Sequence, residues 1–239
     1  MCLFGIIFLL VSTVIATPAL AERALFAVAT NFAETAEQLA LTFEAETGHE
    51  VEFAFGATGK IYAQILRGAP FDGFLAADQL RPQLLHEGGQ GDAPFTYAQG
   101  VLVWWPDLES DGLRGRLAIA NPDLAPYGVA ARETLQNMGV WEAWQAQLVM
   151  GENVGQAFAM VATGNAQIGL VALSSVKSPR NTKDWTWRLA KDHAPVLQDA
   201  ILLNKGRDND AAIAFLAYLK SDAAQALITG AGYEPVDHD

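Results

Sequence analysis

The sequence has one cysteine, Cys2, among its 239 residues. A single thiol cannot form a disulfide within the chain, and it cannot supply a cluster of thiolate ligands to a metal ion. Cys2 also lies in an N-terminal segment that we predict is removed on export. The mature chain is therefore expected to lack cysteine, which excludes a disulfide framework, a thiol nucleophile and a thiolate metal site.

Long apolar runs are missing too. The run from Leu3 to Ala16 is too short to span a bilayer, and no later stretch reaches the ~18 apolar residues of a transmembrane helix. Small residues at Ala19 and Ala21 fit a cleavage site before Glu22, although no Lys or Arg precedes the run. We therefore predict that residues 1–21 are a signal peptide and that the protein is periplasmic.

Basic residues are few. The chain has 15 Lys and Arg against 27 Asp and Glu, which gives a formal net charge of −12. No basic patch or run is available to bind phosphates, so the composition argues against a nucleic-acid partner. If the ligand is itself an anion, a protein this acidic must hold it by local dipoles and N–H groups, because net attraction is absent.

The patterns of an active site are also absent. The four histidines are scattered without the spacing of a metal site. Ser174 and Ser175 lack the G-x-S-x-G context of a hydrolase nucleophile. Asp72 and Asp78 flank a predicted strand, where we expect hinge or helix-cap roles. The sequence thus argues against an enzyme and gives no sign of a cofactor.

What the sequence does contain is a repeated passage from strand to helix. Val51 to Phe55 alternates like a half-buried strand, and the small residues 56–59, Gly-Ala-Thr-Gly, interrupt it. A helix is predicted next, with Ile61 and Ile65 on one face and Gly68 at its end. The first N–H groups of such a helix have no intrahelical partner and are suited to an anion.

Three further loops lead into helices in the same way: Thr30-Asn31 after a strand from Ala24 to Ala29, Asn121 to Gly128 after a strand from Leu117 to Ala120, and Gly151 to Val154.

Further strands are predicted at Gly73–Ala77, Val101–Trp105, Gln167–Leu173, Trp185–Leu189 and Gln198–Leu203, and closing helices at Asp208–Lys220 and Asp222–Thr229. This alternation predicts an α/β fold with mostly parallel sheets flanked by helices. The mature length of about 218 residues suits one large domain or two smaller ones.

Four segments of the chain carry a family resemblance: AVATNFAETAEQLALTFEAETG, FGATGKIYAQILRGAPFDGFLAADQ, NPDLAPYG and GENVGQAFAMVATGNAQIGLVALS. Together they resemble the periplasmic molybdate-binding proteins of ABC importers, over nearly the whole mature chain. The resemblance implies a two-lobed periplasmic binding protein of type II that closes its inter-lobe cleft on molybdate or tungstate and delivers it to the ABC transporter permease. We expect the protein to be a monomer. It also implies lobe I at residues 22–98 plus 195–239 and lobe II at residues 99–194.

Carried over residue by residue, the family's oxyanion contacts fall on the four loops. Thr30 and Asn31 stand in the first loop, and Thr58 stands at the hydroxyl position of the second. The resemblance places Tyr127 and Val154 on the second lobe, with Val154 contacting the oxyanion through its backbone N–H. These five residues would contact molybdate oxygens rather than a bare metal ion.

The chain departs from part of the family at Ala172, where some members have a tyrosine that binds the oxyanion. It resembles the branch that has an asparagine after the first strand, which gives Asn31 more weight. The chemistry agrees, since a tetrahedral dianion has acceptors only and needs N–H and O–H donors.

Three alternatives remain at this point. The polar loop residues could serve only as helix caps. The ligand could be another tetrahedral oxyanion, such as sulfate, thiosulfate or phosphate, or the cleft could belong to an exported hydrolase or transferase.

Overall fold

The computed structural model describes residues 21–107, 115–183 and 186–236. The predicted signal peptide, except for Ala21, lies outside these residues. Within the described part, no single helix is long and apolar enough to cross a membrane. The last two helices meet that criterion of length and composition only as a pair bent by 65°.

The strands in chain order are β1 (Arg23–Ala29), β2 (Glu50–Gly56), β3 (Gly73–Leu75), β4 (Phe95–Gly100), β5 (Leu102–Trp105), β6 (Leu117–Ala120), β7 (Leu148–Gly151), β8 (Ile168–Ala172), β9 (Arg188–Leu189) and β10 (Val196–Leu202). The α-helices are α1 (Ala33–Thr47), α2 (Thr58–Leu66), α3 (Leu80–Glu87), α4 (Pro126–Asn137), α5 (Trp141–Trp144), α6 (Val154–Ala162), α7 (Leu173–Val176), α8 (Asp210–Tyr218) and α9 (Asp222–Gly230). Short 3-10 turns occupy Thr30–Phe32, Gln145–Gln147 and Asn204–Asp208.

The strands form two five-stranded sheets, in the orders β2-β1-β3-β10-β4 and β7-β6-β8-β5-β9. We call the first sheet with its helices the first lobe and the second sheet with its helices the second lobe. The expected α/β architecture in two lobes is confirmed. The sheets are mixed, however, rather than mostly parallel: β1 is parallel to β2 and β3, and β6 to β7 and β8, whereas β5 and β10 are antiparallel to both of their neighbours.

The antiparallel pairings arise where the chain crosses between the lobes. It leaves the first sheet through β4 and enters the second through β5, with Val101 alone between them. It returns through β9 and β10, across residues 190–195. The outward and returning strands run in opposite directions, so β4 pairs with β10 and β5 with β9 in antiparallel fashion.

The core of the first lobe lies on both faces of its sheet. Successive side chains of a strand point to opposite faces. In β1, Phe26 and Val28 accordingly pack with α1 and α8 residues such as Phe43 and Phe215, while Ala27 packs on the other face with Ile61 of α2. β1 is thereby fixed between two layers of helices, which holds its C-terminal end in place.

The core of the second lobe is built around β5, β6 and β8, whose side chains are almost all fully buried. Trp104 and Trp105 are 2% and 0% exposed, and Trp105 stacks on Phe158 of α6. Ala29 and Ala77, from the first lobe, belong to the same apolar cluster. The two lobes are therefore in direct contact where β1 ends.

Two predicted elements differ from those observed. The strand expected over Trp185–Leu189 is limited to Arg188–Leu189, and Trp185 lies outside the described residues. The strand expected over Gly73–Ala77 ends at Leu75. Strands β4 and β7 and the short helices α5 and α7 were not predicted.

Candidate functional site

Four loops meet at one small cavity between the lobes. It lies at the C-terminal ends of β1, β2 and β7 and at the start of α4. The lining residues are Ala29, Thr30, Asn31, Gly56, Ala57, Thr58, Ala77, Ala125, Pro126, Tyr127, Asn153 and Val154. All five residues that the sequence suggested for oxyanion contact are in this set.

Three α-helices begin at the cavity. Thr58 is the first residue of α2, Val154 the first of α6, and Tyr127 the second of α4 after Pro126. The first N–H groups of a helix lack intrahelical acceptors, and the N-terminus carries a partial positive charge. In addition, the 3-10 turn from Thr30 leads into α1. The cavity is thus surrounded by the positive ends of backbone dipoles.

Local sequence explains where these helices begin. Asn153 is extended, with φ −147° and ψ 170°, and its Oδ1 accepts from Gln156 N at 2.9 Å. This cap satisfies one early N–H of α6. Pro126 suits the first position of α4, where its missing N–H has no intrahelical partner to lose.

Thr58 presents a hydroxyl at the cavity. The residue is 1% exposed, and its Oγ1 accepts from Ala77 N at 3.2 Å. Because a hydroxyl can accept and donate at once, its hydrogen is still available to an acceptor in the cavity. Thr30 of the first lobe faces α6 of the second lobe. Its Cβ lies 3.5 Å from the position that a Cβ on Gly155 would take. A Cβ at position 155 would therefore be in ordinary van der Waals contact with Thr30.

Asn31 differs from the expectation of a side-chain donor to the ligand. It is 5% exposed, and its Nδ2 donates to Gln198 Oε1 at 2.9 Å and to Tyr233 Oη at 3.2 Å. Both amide hydrogens are therefore used inside the protein. The backbone carbonyl oxygen of Asn31 accepts from Tyr233 Oη at 2.6 Å and from Ser174 Oγ at 2.9 Å.

Tyr127 is 1% exposed, and its hydroxyl lies 3.4 Å from Gln198 Nε2. Burial raises the pKa of Tyr127 well above its ordinary value, and it raises the pKa of Tyr97 and Tyr233 as well. All three phenols are therefore neutral at physiological pH. A buried negative charge next to the cavity is avoided.

Charge is confined to the edge of the site. Among the described residues that line the cavity, none carries a formal charge. Just outside it, Lys60 Nζ of the first lobe lies 2.5 Å from Glu152 Oε1 of the second, with both side chains about half exposed. Lys60 thus faces the other lobe as part of an ion pair.

Two further hydrogen bonds hold the lobes together around the cavity. Gly59 N, in the first turn of α2, donates to Leu124 O at 2.9 Å. Ser174 Oγ, at the start of α7, donates to Asn31 O at 2.9 Å. With the ion pair at Lys60, these contacts close the cleft on several sides.

The other polar groups considered from the sequence lie elsewhere. Asp78 accepts from Arg81 N at 3.1 Å, which is the expected cap-like role. Asp72 has a different role: it is 2% exposed, pairs with Lys205 Nζ at 2.5 Å and accepts from Leu25 N. Within the described residues, no group of three or more His, Cys, Asp or Glu side chains could hold a metal ion.

Gln198 and Tyr233 are the residues behind the cavity that the sequence did not suggest. They lie 167 and 202 positions after Asn31. Gln198 and Asp199 are adjacent polar residues in the otherwise apolar strand β10, and this pair is the one local signal that could have identified Gln198.

Comparison with known proteins places this geometry in context. Residues 24–234 match the protein family of bacterial extracellular solute-binding proteins. The molybdate-binding protein ModA of Azotobacter vinelandii is 43% identical over 234 residues, covering 92% of this chain and 92% of the relative. The protein of the same name from Rhodobacter capsulatus is 41% identical over 231 residues, covering 92% and 91%.

Solved structures agree. The periplasmic molybdate-binding protein of Azotobacter vinelandii superposes with a TM-score of 0.84 at 32% identity, covering 90% of this chain and all of that one. The sulfate-binding protein SubI of Mycobacterium tuberculosis superposes with a TM-score of 0.75 at 13% identity, covering 91% and 88%. The second likeness shows a common fold alone.

Proposed function

The chain belongs to the family of bacterial extracellular solute-binding proteins and, within it, to the ModA molybdate-binding proteins, and from this premise we propose that it captures molybdate and delivers it to the permease of an ABC transporter. Tungstate, an oxyanion of the same shape and charge, is proposed as a second ligand. The chain acts in the periplasm as a monomer, as a carrier rather than an enzyme, and needs no cofactor.

The observation that carries this proposal is the convergence of helix starts and hydroxyls on one small uncharged cavity. A tetrahedral dianion presents oxygen acceptors on all sides, and hydrogen bonds to a charged acceptor are stronger than neutral ones. Burying a charge without partners is costly. A closed cavity that offers donors from several directions meets both requirements without a cationic side chain.

We assign the donors as follows. Thr30 and Thr58 contribute hydroxyls, and Tyr127 and Val154 contribute backbone N–H groups from the first turns of α4 and α6. Asn31 contributes its backbone N–H, since its side-chain amide already donates to Gln198 and Tyr233. Each lobe thus supplies part of the shell, so the bound ion favours the closed arrangement.

Closure requires a flexible connection between the lobes. The crossings at Val101 and at residues 190–195 lie close to the lobe bounds inferred from the sequence, 22–98 with 195–239 and 99–194. We propose these bounds for the two rigid bodies, with the two crossings as the hinge. Opening about the hinge would release the ion to the permease.

A panel of oxyanions tests the function. The mature protein is melted with molybdate, tungstate, sulfate, thiosulfate and phosphate at equal concentration, and each binder is then titrated by calorimetry. A ligand that binds only the folded state stabilises it by about 2.7 kcal/mol at a hundred times its Kd. Molybdate and tungstate are expected to raise the melting temperature and sulfate is not. An equal shift with sulfate would contradict the molybdate assignment and leave a general oxyanion carrier.

A further inference from the structure

Behind the cavity lies a buried network of polar side chains that the donor shell does not include. Gln198 is at its centre, 0% exposed, and does not line the cavity. Its Oε1 accepts from Asn31 Nδ2 at 2.9 Å and lies 3.1 Å from Tyr97 Oη, which lies at the same distance from Ala76 O. Its Nε2 lies 3.4 Å from Tyr127 Oη. Gln198 therefore contacts one cavity residue from each lobe.

The orientations of the Asn31 and Gln198 amides in this network are set from one end. Tyr233 Oη donates its single hydrogen to the carbonyl of Asn31, which can only accept. The Tyr233 oxygen must then accept from Asn31 Nδ2, whose second hydrogen goes to Gln198 Oε1. This orients the glutamine amide, so its Nε2 faces the hydroxyl of Tyr127. Neither Asn31 nor Gln198 can exchange the positions of its amide oxygen and nitrogen, because two donors or two acceptors would then face each other.

Gln198 also lies at the hinge. It is in β10, opposite Ala98 of β4, where the pairing of the two strands is irregular. A Cβ on Gly100, at the end of β4, would lie 2.5 Å from Gln198 Nε2 and 2.2 Å from Tyr127 Oη. Only glycine leaves room at this position for the two side chains to meet. The first crossing of the chain is thus packed directly against this contact between the lobes.

We propose that Gln198 is a positioning residue for the oxyanion site: it fixes Asn31 in the first lobe and links it, beside the hinge, to Tyr127 in the second. The inference rests on the proposed function. Gln198 itself touches no ligand atom. Its effect on binding passes through Asn31, whose amide loses a buried acceptor when Gln198 is replaced by an apolar residue.

Four variants of the mature protein test this: Gln198→Met, Asn31→Ala, the double variant, and Gln225→Met as a matched control. Gln225 is a partly buried glutamine of the same lobe whose Nε2 donates to Tyr97 O and Leu219 O, away from Asn31. Molybdate affinity is measured by calorimetry, and the melting temperature of each ligand-free variant is recorded.

Gln198→Met is expected to weaken molybdate binding about tenfold, and Gln225→Met to leave it within about twofold. In the Asn31→Ala background, Gln198→Met is expected to have little further effect, because residues that act through one another are not additive. If the melting temperatures of Gln198→Met and Gln225→Met fall equally while only Gln198→Met loses affinity, the loss of binding is not caused by general destabilisation.

Additive losses in the double variant, or parent-like affinity in Gln198→Met, would overturn the positioning role. If Gln198→Met does not fold, Tyr233→Phe replaces it, since it removes the hydroxyl that orients Asn31 and should weaken binding by a similar factor. Failure of the proposed function looks different. In that case the parent itself binds no molybdate, and this inference falls with it.

Discussion

Lys60 of α2 and Glu152, which precedes α6, form an ion pair of 2.5 Å across the mouth of the cleft. Both side chains are about half exposed, 44% and 53%. Exposed ion pairs contribute little, typically 0–1 kcal/mol, and salt weakens them. The pair therefore marks the closed rim without supplying the energy that holds the ion.

The first prediction follows from this weakness. Lys60→Gln is expected to lower molybdate affinity by less than about threefold, and titrations of the parent at low and high NaCl should agree within a few-fold. The donors inside the closed cavity are neutral and shielded from salt. Calorimetry at two salt concentrations measures both effects. A loss of several orders of magnitude would show that a cation carries the binding.

The second prediction concerns the hydroxyl of Thr58. Thr58→Val keeps the side-chain shape and removes the donor, so affinity should fall by about ten- to a hundredfold, equivalent to about 1.5–3 kcal/mol. Thr58→Ser keeps the hydroxyl and serves as the matched control, with affinity close to that of the parent. If both variants bind like the parent, Thr58 acts only through its bond with Ala77 N.

The third prediction separates backbone from side chain at Val154. Val154→Ala keeps the N–H and should change affinity little, whereas Val154→Pro removes the donor at a cost of about 1.5–3 kcal/mol. The fold should tolerate proline, because position 154 is the first of α6 and Asn153 already has the extended backbone that precedes proline.

Circular dichroism and melting of the ligand-free proteins provide the control for this pair. Both variants should match the parent in fold and diverge only in molybdate titrations. A folded Val154→Pro variant with parent-like affinity would mean that the second lobe holds the ion through other groups.

The fourth prediction concerns pH. Burial raises the pKa of Tyr127 and Tyr233 above the value of about 10 that a phenol has in the unfolded chain. The folded state therefore favours the neutral phenol. This contribution to stability is complete below pH 10 and is lost as the pH rises above it, because the unfolded chain ionises first.

Molybdate affinity should accordingly be constant from about pH 7 to pH 9, since no lining residue titrates there, and the free energy of unfolding should begin to fall near pH 10. Denaturant melts and titrations across this range measure the two quantities. A step in affinity near neutral pH would point to a titrating group in the site.

The sequence predicted the loops of the site because each carries a local signal, a strand that ends in small or polar residues followed by a helix. Thr58 and Val154 begin helices as those signals indicate. The partners of Asn31 could not be predicted in this way. Gln198 and Tyr233 reach it through long-range folding, and the use of its amide hydrogens depends on contacts that no local pattern encodes.

The sheets show the same limit. Alternating strands and helices correctly indicated α/β lobes, but a strand's direction depends on which side the chain enters the sheet from. β10 arrives from the other lobe and therefore runs antiparallel to β3 and β4. Strand β4, with the sequence FTYAQG, has too few strongly apolar residues for its periodicity to be recognised.

The position of β10 also constrains the order in which the protein can fold. In the first sheet β10 lies between β3 and β4, which are not paired with each other. It is made only after the whole second lobe, so a growing chain must carry an incomplete first sheet until residues 196–202 are available. Contacts this distant in sequence form slowly. The second lobe, by contrast, is a continuous stretch whose sheet can be completed earlier, so we expect it to fold first and the first lobe to close around its own late strand.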